Sequence, residues 1–182
     1  MPLSSLITFR SGLIAKAGQA TIKSFEQRGR FWAPGISSGG MVKRYHVTYE
    51  GEYLCFEPAQ IKSGGVGTVN YKDPKLFVRK TGDSIICGYD GSGLLALNNV
   101  HIGEGVAPNP DRMMCVCAVL NSSVVKFYYR ATTLEEGRAL SQIDIDMLDE
   151  IPIKIPALSL ERTIATLVRS AILAQKLGES AA

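Results

Sequence analysis

Apolar residues in the first half of the chain recur at every second position. Tyr45, Val47 and Tyr49 alternate with His46, Thr48 and Glu50, and after Gly51-Glu52 comes Tyr53-Leu54-Cys55-Phe56. A period of two places the apolar side chains on one face of a strand, so this stretch predicts a hairpin. Lys75-Leu76-Phe77-Val78-Arg79 and Ile85-Ile86-Cys87-Gly88-Tyr89 flank Thr81-Gly82-Asp83 and predict a second pair of strands, after which Asp90-Gly91 turns into residues 94–97. Two clusters of turn-forming residues, Pro34-Gly35-Ile36-Ser37-Ser38-Gly39-Gly40 and Ser63-Gly64-Gly65-Val66-Gly67, predict surface loops.

Beyond Pro108 and Pro110 the period lengthens. Asp111 is placed to cap a helix through Met113, Met114, Val116, Cys117 and Leu120, apolar on most sides. Ser122 is placed to cap a second, carrying Val124, Val125, Phe127 and Tyr128, with Lys126 and Arg130 on its wetter face. Residues 141–156 read as extended chain whose prolines, Pro152 and Pro156, forbid a central strand. Ser159 then precedes an amphipathic helix over 160–177, with Ile164, Leu167, Val168, Ala171 and Ile172 on one stripe. The fold class expected is α+β: a curved antiparallel sheet with flanking helices, ending in an amphipathic helix.

With 182 residues, 46% hydrophobic and 20% charged, the chain is able to bury one substantial core, which excludes disorder and a small disulfide scaffold. Cys55, Cys87, Cys115 and Cys117 include no C-x-x-C pair, which points to a reduced, cytoplasmic setting. Arg10 interrupts the mildly apolar start, and no apolar run reaches eighteen residues, so neither a signal peptide nor a membrane span is expected.

The net charge of +3 says little until it is divided. Residues 1–80 hold twelve Lys/Arg against five Asp/Glu, and residues 81–182 hold eight against twelve. That asymmetry suits one surface facing a polyanion.

Several motifs imitate catalytic chemistry and lack a necessary part. Gly64-Gly65-Val66-Gly67 and the glycines at 88, 91 and 93 have no strand-to-helix context that would aim N–H groups at phosphate. Asn109-Pro110-Asp111-Arg112 lacks the second proline and the aromatic of an adenine-gripping loop. Asp73-Pro74-Lys75 resembles half of a nuclease metal site without its partner acid, and the acids at 144, 146, 149 and 150 read as a solvated face. Cys115 and Cys117, two apart on a helix, diverge and read as core, and neither His46 nor His101 has spacing that pairs it with a cysteine. What remains is basic and aromatic: Lys43-Arg44-Tyr45, Tyr71-Lys72-Asp73-Pro74-Lys75 and Arg79-Lys80-Thr81. Such residues on loops and strand ends suit phosphate and guanine contacts, and equally an ordinary basic sheet face.

The order of four stretches resembles the TaqI-like C-terminal specificity domain, the target-recognition module of adenine-specific DNA methyltransferases and restriction-modification enzymes. They are Ser11-Gly12-Leu13-Ile14 with Val42-Lys43-Arg44-Tyr45; Pro74 through Asp83 with Tyr89-Asp90 and Asn98-Asn99-Val100-His101; Val119-Leu120-Asn121-Ser122 leading into Phe127-Tyr128-Tyr129; and Ile151-Pro152-Ile153 followed by Ile155-Pro156 and a helix. The last is also similar to the close of a type I specificity-subunit repeat. The resemblance implies a target-recognition domain over 1–158 and a C-terminal helix over 159–182 packing on it or on a partner. It implies binding to double-stranded DNA through Lys43, Arg44, Tyr45, Lys72, Lys75, Arg79, Lys80 and Thr81, with no catalytic residue and no metal. The methyltransferase catalytic domain or subunit, and with it S-adenosylmethionine, would be supplied elsewhere. The acidic run before Ile151 departs from the family and keeps DNA away from that stretch. Alternatives are half of a type I specificity subunit, a protein-interaction module docking through its C-terminal helix, and a small enzyme with a cysteine nucleophile.

Overall fold

The structure is a computed structural model describing residues 1–64, 71–107, 109–132 and 142–180, so expectations at 65–67, Pro108 and residue 141 lie outside the described residues. In chain order the elements are β1 (Ile7–Ser11), β2 (Ile14–Ala15), β3 (Lys23–Ser24), β4 (Trp32–Ile36), β5 (Tyr53–Cys55), β6 (Ile61–Ser63), β7 (Lys75–Arg79), β8 (Cys87–Asp90), β9 (Leu95–Ala96), β10 (Val100–Gly105), α1 (Pro110–Leu120), α2 (Ser123–Thr132), α3 (Ile145–Asp149) and α4 (Leu158–Ser180). The α+β class expected from the pattern is the one observed.

Strand β7 sits at the centre. Its sheet has the order β1-β10-β7-β8 and is antiparallel throughout. Because strand side chains alternate, Leu76 and Val78 enter the core beneath the helices, whereas Phe77 points the other way. On the helix side Met113, Val116, Cys117 and Leu120 of α1 close over Leu76, Val78 and Cys87. On the opposite side Phe77, Val100 and Ile102 meet Ile36, Val42, Leu94 and Ala96. The strands behind them form a second sheet, β3-β5-β4-β9, in which β4 and β9 are parallel, and β2 pairs with β6 beside it.

The β7–β8 pair forms as expected, with Lys75 opposite Asp90 and Val78 opposite Cys87. The first hairpin does not. Strand β5 pairs with β3 and β4, while residues 41–48 close on themselves through Lys43 N–H to His46 O (2.9 Å) and Thr48 N–H to Met41 O (2.9 Å). The edge of β8 competes for this segment. Tyr45 N–H donates to Cys87 O (3.1 Å), and Tyr45 O accepts from Tyr89 N–H (3.0 Å). Gly88 permits the approach, since a Cβ there would stand 2.4 Å from His46 O.

Helix boundaries differ in instructive ways. Asn109, not Asp111, caps α1, its side-chain oxygen accepting from the N–H groups of Asp111 (3.0 Å) and Arg112 (3.2 Å). Pro110 takes the first helical position, where no N–H is needed, and shifts the cap upstream. Ser122 does cap α2, accepting from Val125 N–H at 3.2 Å, but the helix buries Val125 and Tyr129 and leaves Val124 and Phe127 exposed. Residues 141–156 are not all extended, because α3 carries Leu148 into the core. Helix α4 begins at Leu158, with Glu161 N–H donating to Ala157 O at 2.9 Å, so Ser159 lies inside it. It packs on α1 through Ala165 and Val168, with Ile164 and Ile172, against Met114, while Leu167 faces outward. Arg112–Glu161 (2.7 Å) and Arg169–Asp111 ion pairs fasten the same interface.

Candidate nucleic-acid interface

The eight residues singled out from sequence divide into groups when placed on this frame. Lys43 and Arg44 occupy the tip of the tight turn between Val42 and Val47, and both side chains are exposed. The turn is anchored from beneath: Tyr45 has a positive φ of 80° and is held on both sides by its two backbone hydrogen bonds to β8. A tyrosine in that conformation is strained by about 1–2 kcal/mol. Its half-buried ring packs with Met114 and Val168, so Tyr45 is the pin that fixes the turn between sheet and α4.

Arg79 ends β7 directly under this turn. Its Nε donates to Val42 O at 2.8 Å, which locks the guanidinium against the turn's backbone and leaves its terminal N–H groups without an acceptor among the described residues. Burial, and after it the neighbouring Arg44, lowers the Arg79 pKa from its ordinary value. Two guanidiniums are thus held near each other with no ion pair to either among the described residues. Lys80 follows, its N–H donating to Asn99 O (3.2 Å) and its carbonyl accepting from Ile143 N–H (2.8 Å). Thr81, exposed, bridges to Gln142.

Lys75 is elsewhere. It begins β7 and Arg79 ends it, which separates them by about 13 Å at the ordinary rise of a strand. Only 2% exposed, Lys75 Nζ contacts Asp90 Oδ2 at 2.8 Å and donates to Tyr71 O at 2.6 Å. An ammonium enclosed this way is unable to reach a phosphate, so Lys75 is a structural residue and leaves the candidate interface. Lys72 is exposed on that same distant side, its Cα 3.2 Å from the position a Cβ on Gly93 would take.

The structure adds residues that charge counting passed over. Asn99 Nδ2 donates to Ser37 O (2.6 Å), and Lys23 Nζ donates to Ser37 Oγ (3.0 Å), so the polar loops after β4 and β9 join the Arg79 end into one ridge. Lys23 itself is neutralised by Glu52 at 2.6 Å. The Asn98-Asn99 pair and the Ser37-Ser38-Gly39-Gly40 cluster were the available signals, and each read as an ordinary turn. Among the described residues no three His, Cys, Asp or Glu side chains gather to hold a metal ion, and no helix is long and apolar enough to cross a membrane. The ridge offers cationic and amide groups to an anionic, hydrogen-bonding surface, which is the character of a nucleic-acid contact.

Comparison with known proteins bears on the fold and the family. No curated protein matches the sequence. Among solved structures, a chain from work on complex assembly and conformational transition of the type I R-M system aligns with a TM-score of 0.59 at 12% identity, covering 99% of this chain and 40% of its own. The type I restriction-modification S subunit from M. genitalium aligns at 0.53 and 14% identity, covering 98% and 39%, and the HsdS subunit from Thermoanaerobacter tengcongensis at 0.54 and 13%, covering 98% and 38%. These share the fold, and the chain spans about two fifths of their length. The family of TaqI-like C-terminal specificity domains matches residues 36–153, well over half of the sequence, and the chain belongs to that family.

Proposed function

We propose that this specificity domain, a DNA-recognition part of restriction-modification systems, selects duplex DNA for an adenine-specific methyltransferase and does no chemistry itself. Family membership supports the recognition role. The observation that carries the assignment to a surface is the Arg44–Arg79 pair, in which exposed Arg44 stands beside half-buried Arg79 at one edge, flanked in sequence by Lys43 and Lys80. Holding like charges together costs folding free energy, and a phosphate placed between them relieves the repulsion. Lys43, Arg44, Arg79 and Lys80 would then fix register on the backbone, while exposed Ser38 and half-buried Asn98 on the adjoining loops would meet base edges. The modified base would be flipped into a separate catalytic partner, and S-adenosylmethionine would be bound there.

An electrophoretic mobility shift of duplex DNA at low and high salt tests the reading. Retardation at low salt that is lost at high salt is expected, and no retardation with the catalytic partner present would contradict it.

One observation favours a narrower reading, half of a type I specificity subunit. Beyond the face packed on α1, helix α4 exposes Leu160, Leu167, Leu173 and Leu177, apolar side chains that in a subunit about two and a half times this length would be covered by a second helix. Sedimentation of the chain with and without Leu167→Glu separates a self-pairing half-subunit from a monomer.

A further inference from the structure

The segment between β3 and β4 reads Phe25-Glu26-Gln27-Arg28-Gly29-Arg30-Phe31, and it lies upstream of the matched residues 36–153. Phe25 is 68% exposed, an unusual state for a phenylalanine on a loop. Arg28 sits with its guanidinium carbon 5.5 Å from the centre of the Trp32 ring, and Arg30 with its own 4.7 Å from Phe31. Stacking on an aromatic face holds each guanidinium in place while leaving its N–H edge free for an acceptor. Neither arginine has an ion pair among the described residues. An open groove of about 460 Å³ lies beside Arg28, lined also by Ala20, Lys23, Ser24, Phe25 and Glu26.

Position links this groove to the basic ridge. Ser24 and Pro34 both pair with Tyr53, so β3 and β4 run in one direction on either side of β5, and Phe25 follows β3 at the end of the sheet where β4 leads to Ser37. Lys23 on the groove wall donates to Ser37 Oγ, Asn99 donates to Ser37 O, and Lys80 N–H donates to Asn99 O. One continuous edge therefore runs from Phe25 to Arg79. Glu26 is the acid on the groove wall, and Glu52 is engaged by Lys23 and by Ser37 N–H at 3.1 Å.

We infer that residues 25–30 form a second contact to DNA, in which the Phe25 ring stacks on a base at an opened step and Arg28 and Arg30 hold the adjoining phosphates. The inference rests on the DNA-recognition reading above and extends it to a segment outside the family match. An exposed aromatic in a segment that carries two stacked guanidiniums suits a base face, which intact duplex hides and an opened step presents.

The test uses the whole chain and two probes, a duplex and the same duplex carrying one abasic site, with binding followed by fluorescence anisotropy across a salt series. The wild type is expected to prefer the abasic duplex by about fivefold or more, the lower range of single-base stacking. Phe25→Ala should bring that preference to unity with the salt slope unchanged. Arg28→Gln with Arg30→Gln should flatten the slope by about 1.8, two phosphate contacts. These side chains are at the surface, so unchanged thermal midpoints are expected for all variants. Ultraviolet cross-linking of DNA to Phe25→p-benzoylphenylalanine is a second, substitution-tolerant readout. Equal preference, equal slope and no cross-link, with the wild type still binding duplex and Arg44→Gln still weakening it, would overturn this inference and leave the ridge standing. Failure of the wild type to bind either probe, with the catalytic partner present as well as without it, would overturn both.

Discussion

Lys75 and Asp90 show what a charged residue does when it is enclosed. Each side chain is 2% exposed, and Asp90 also accepts from Ser92 N–H (2.9 Å), Ser92 Oγ (2.6 Å) and Leu94 N–H (2.8 Å). Burial acts to raise the Asp90 pKa, but the Lys75 charge and these hydrogen bonds outweigh it and hold the carboxyl below its usual value. A carboxylate with a depressed folded pKa contributes stability that is present above its unfolded value near 3.9 and lost as pH falls through the folded value. Asp90→Asn leaves the Lys75 ammonium buried without its counter-charge, and urea unfolding should report a loss of about 3–5 kcal/mol. His101 titrates in a different window. Burial is the largest effect and lowers its pKa against the hydrogen bond to Ile143 O, and its Nδ1 has no partner among the described residues. The unfolded chain then binds the extra proton first, so stability should decline as pH falls below about 6.5. His101→Gln should remove that part of the decline in unfolding free energy measured between neutral and mildly acidic pH.

At the scale of elements, the turn bearing Lys43 and Arg44 depends on a missing side chain in β8. Gly88→Ala sets a methyl group against His46 O, so the turn must lift from β8. We expect a loss of about 1–3 kcal/mol in stability, together with weaker DNA binding that Gly178→Ala, in open space near the end of α4, does not match. Helix α4 depends on Glu161, fully buried against α1 with Arg112 as its ion partner. Arg112→Ala should cost about 3 kcal/mol and raise hydrogen exchange along α4 before the sheet opens. The alternating β7 and β8 runs and the apolar α1 were legible in the sequence because local periodicity decides them. The fate of residues 45–49 was not, since the same alternation serves a local hairpin or an added edge on β8, and only Gly88, forty residues on, settles which. Lys75 was misjudged for a related reason: its partner Asp90 is recognisable only when the strand register is known. The Arg28 and Arg30 stacking escaped notice because a basic-aromatic loop carries no period at all.

For the whole molecule, the sheets divide labour by position. The helix side of β7 is sealed by α1, with α2 and α3 beside it and α4 packed on α1, while the far ends of β4, β7 and β9 gather the half-buried Ser37, Arg79, Lys80 and Asn99 along one edge. Charge segregation along the chain says that most of the basic residues belong to its first half, although the family order of motifs, rather than composition, identified the domain as one that recognises DNA. The central claim is that Arg44 and Arg79 hold DNA phosphates there. Its most direct test is the dependence of duplex-binding affinity on salt for the wild type, for Arg44→Gln with Arg79→Gln, and for the exposed Lys154→Gln as a control away from the edge. The account predicts a log–log slope about 1.8 shallower in the double variant and unchanged in the control. A double variant whose slope equals that of the wild type would contradict it.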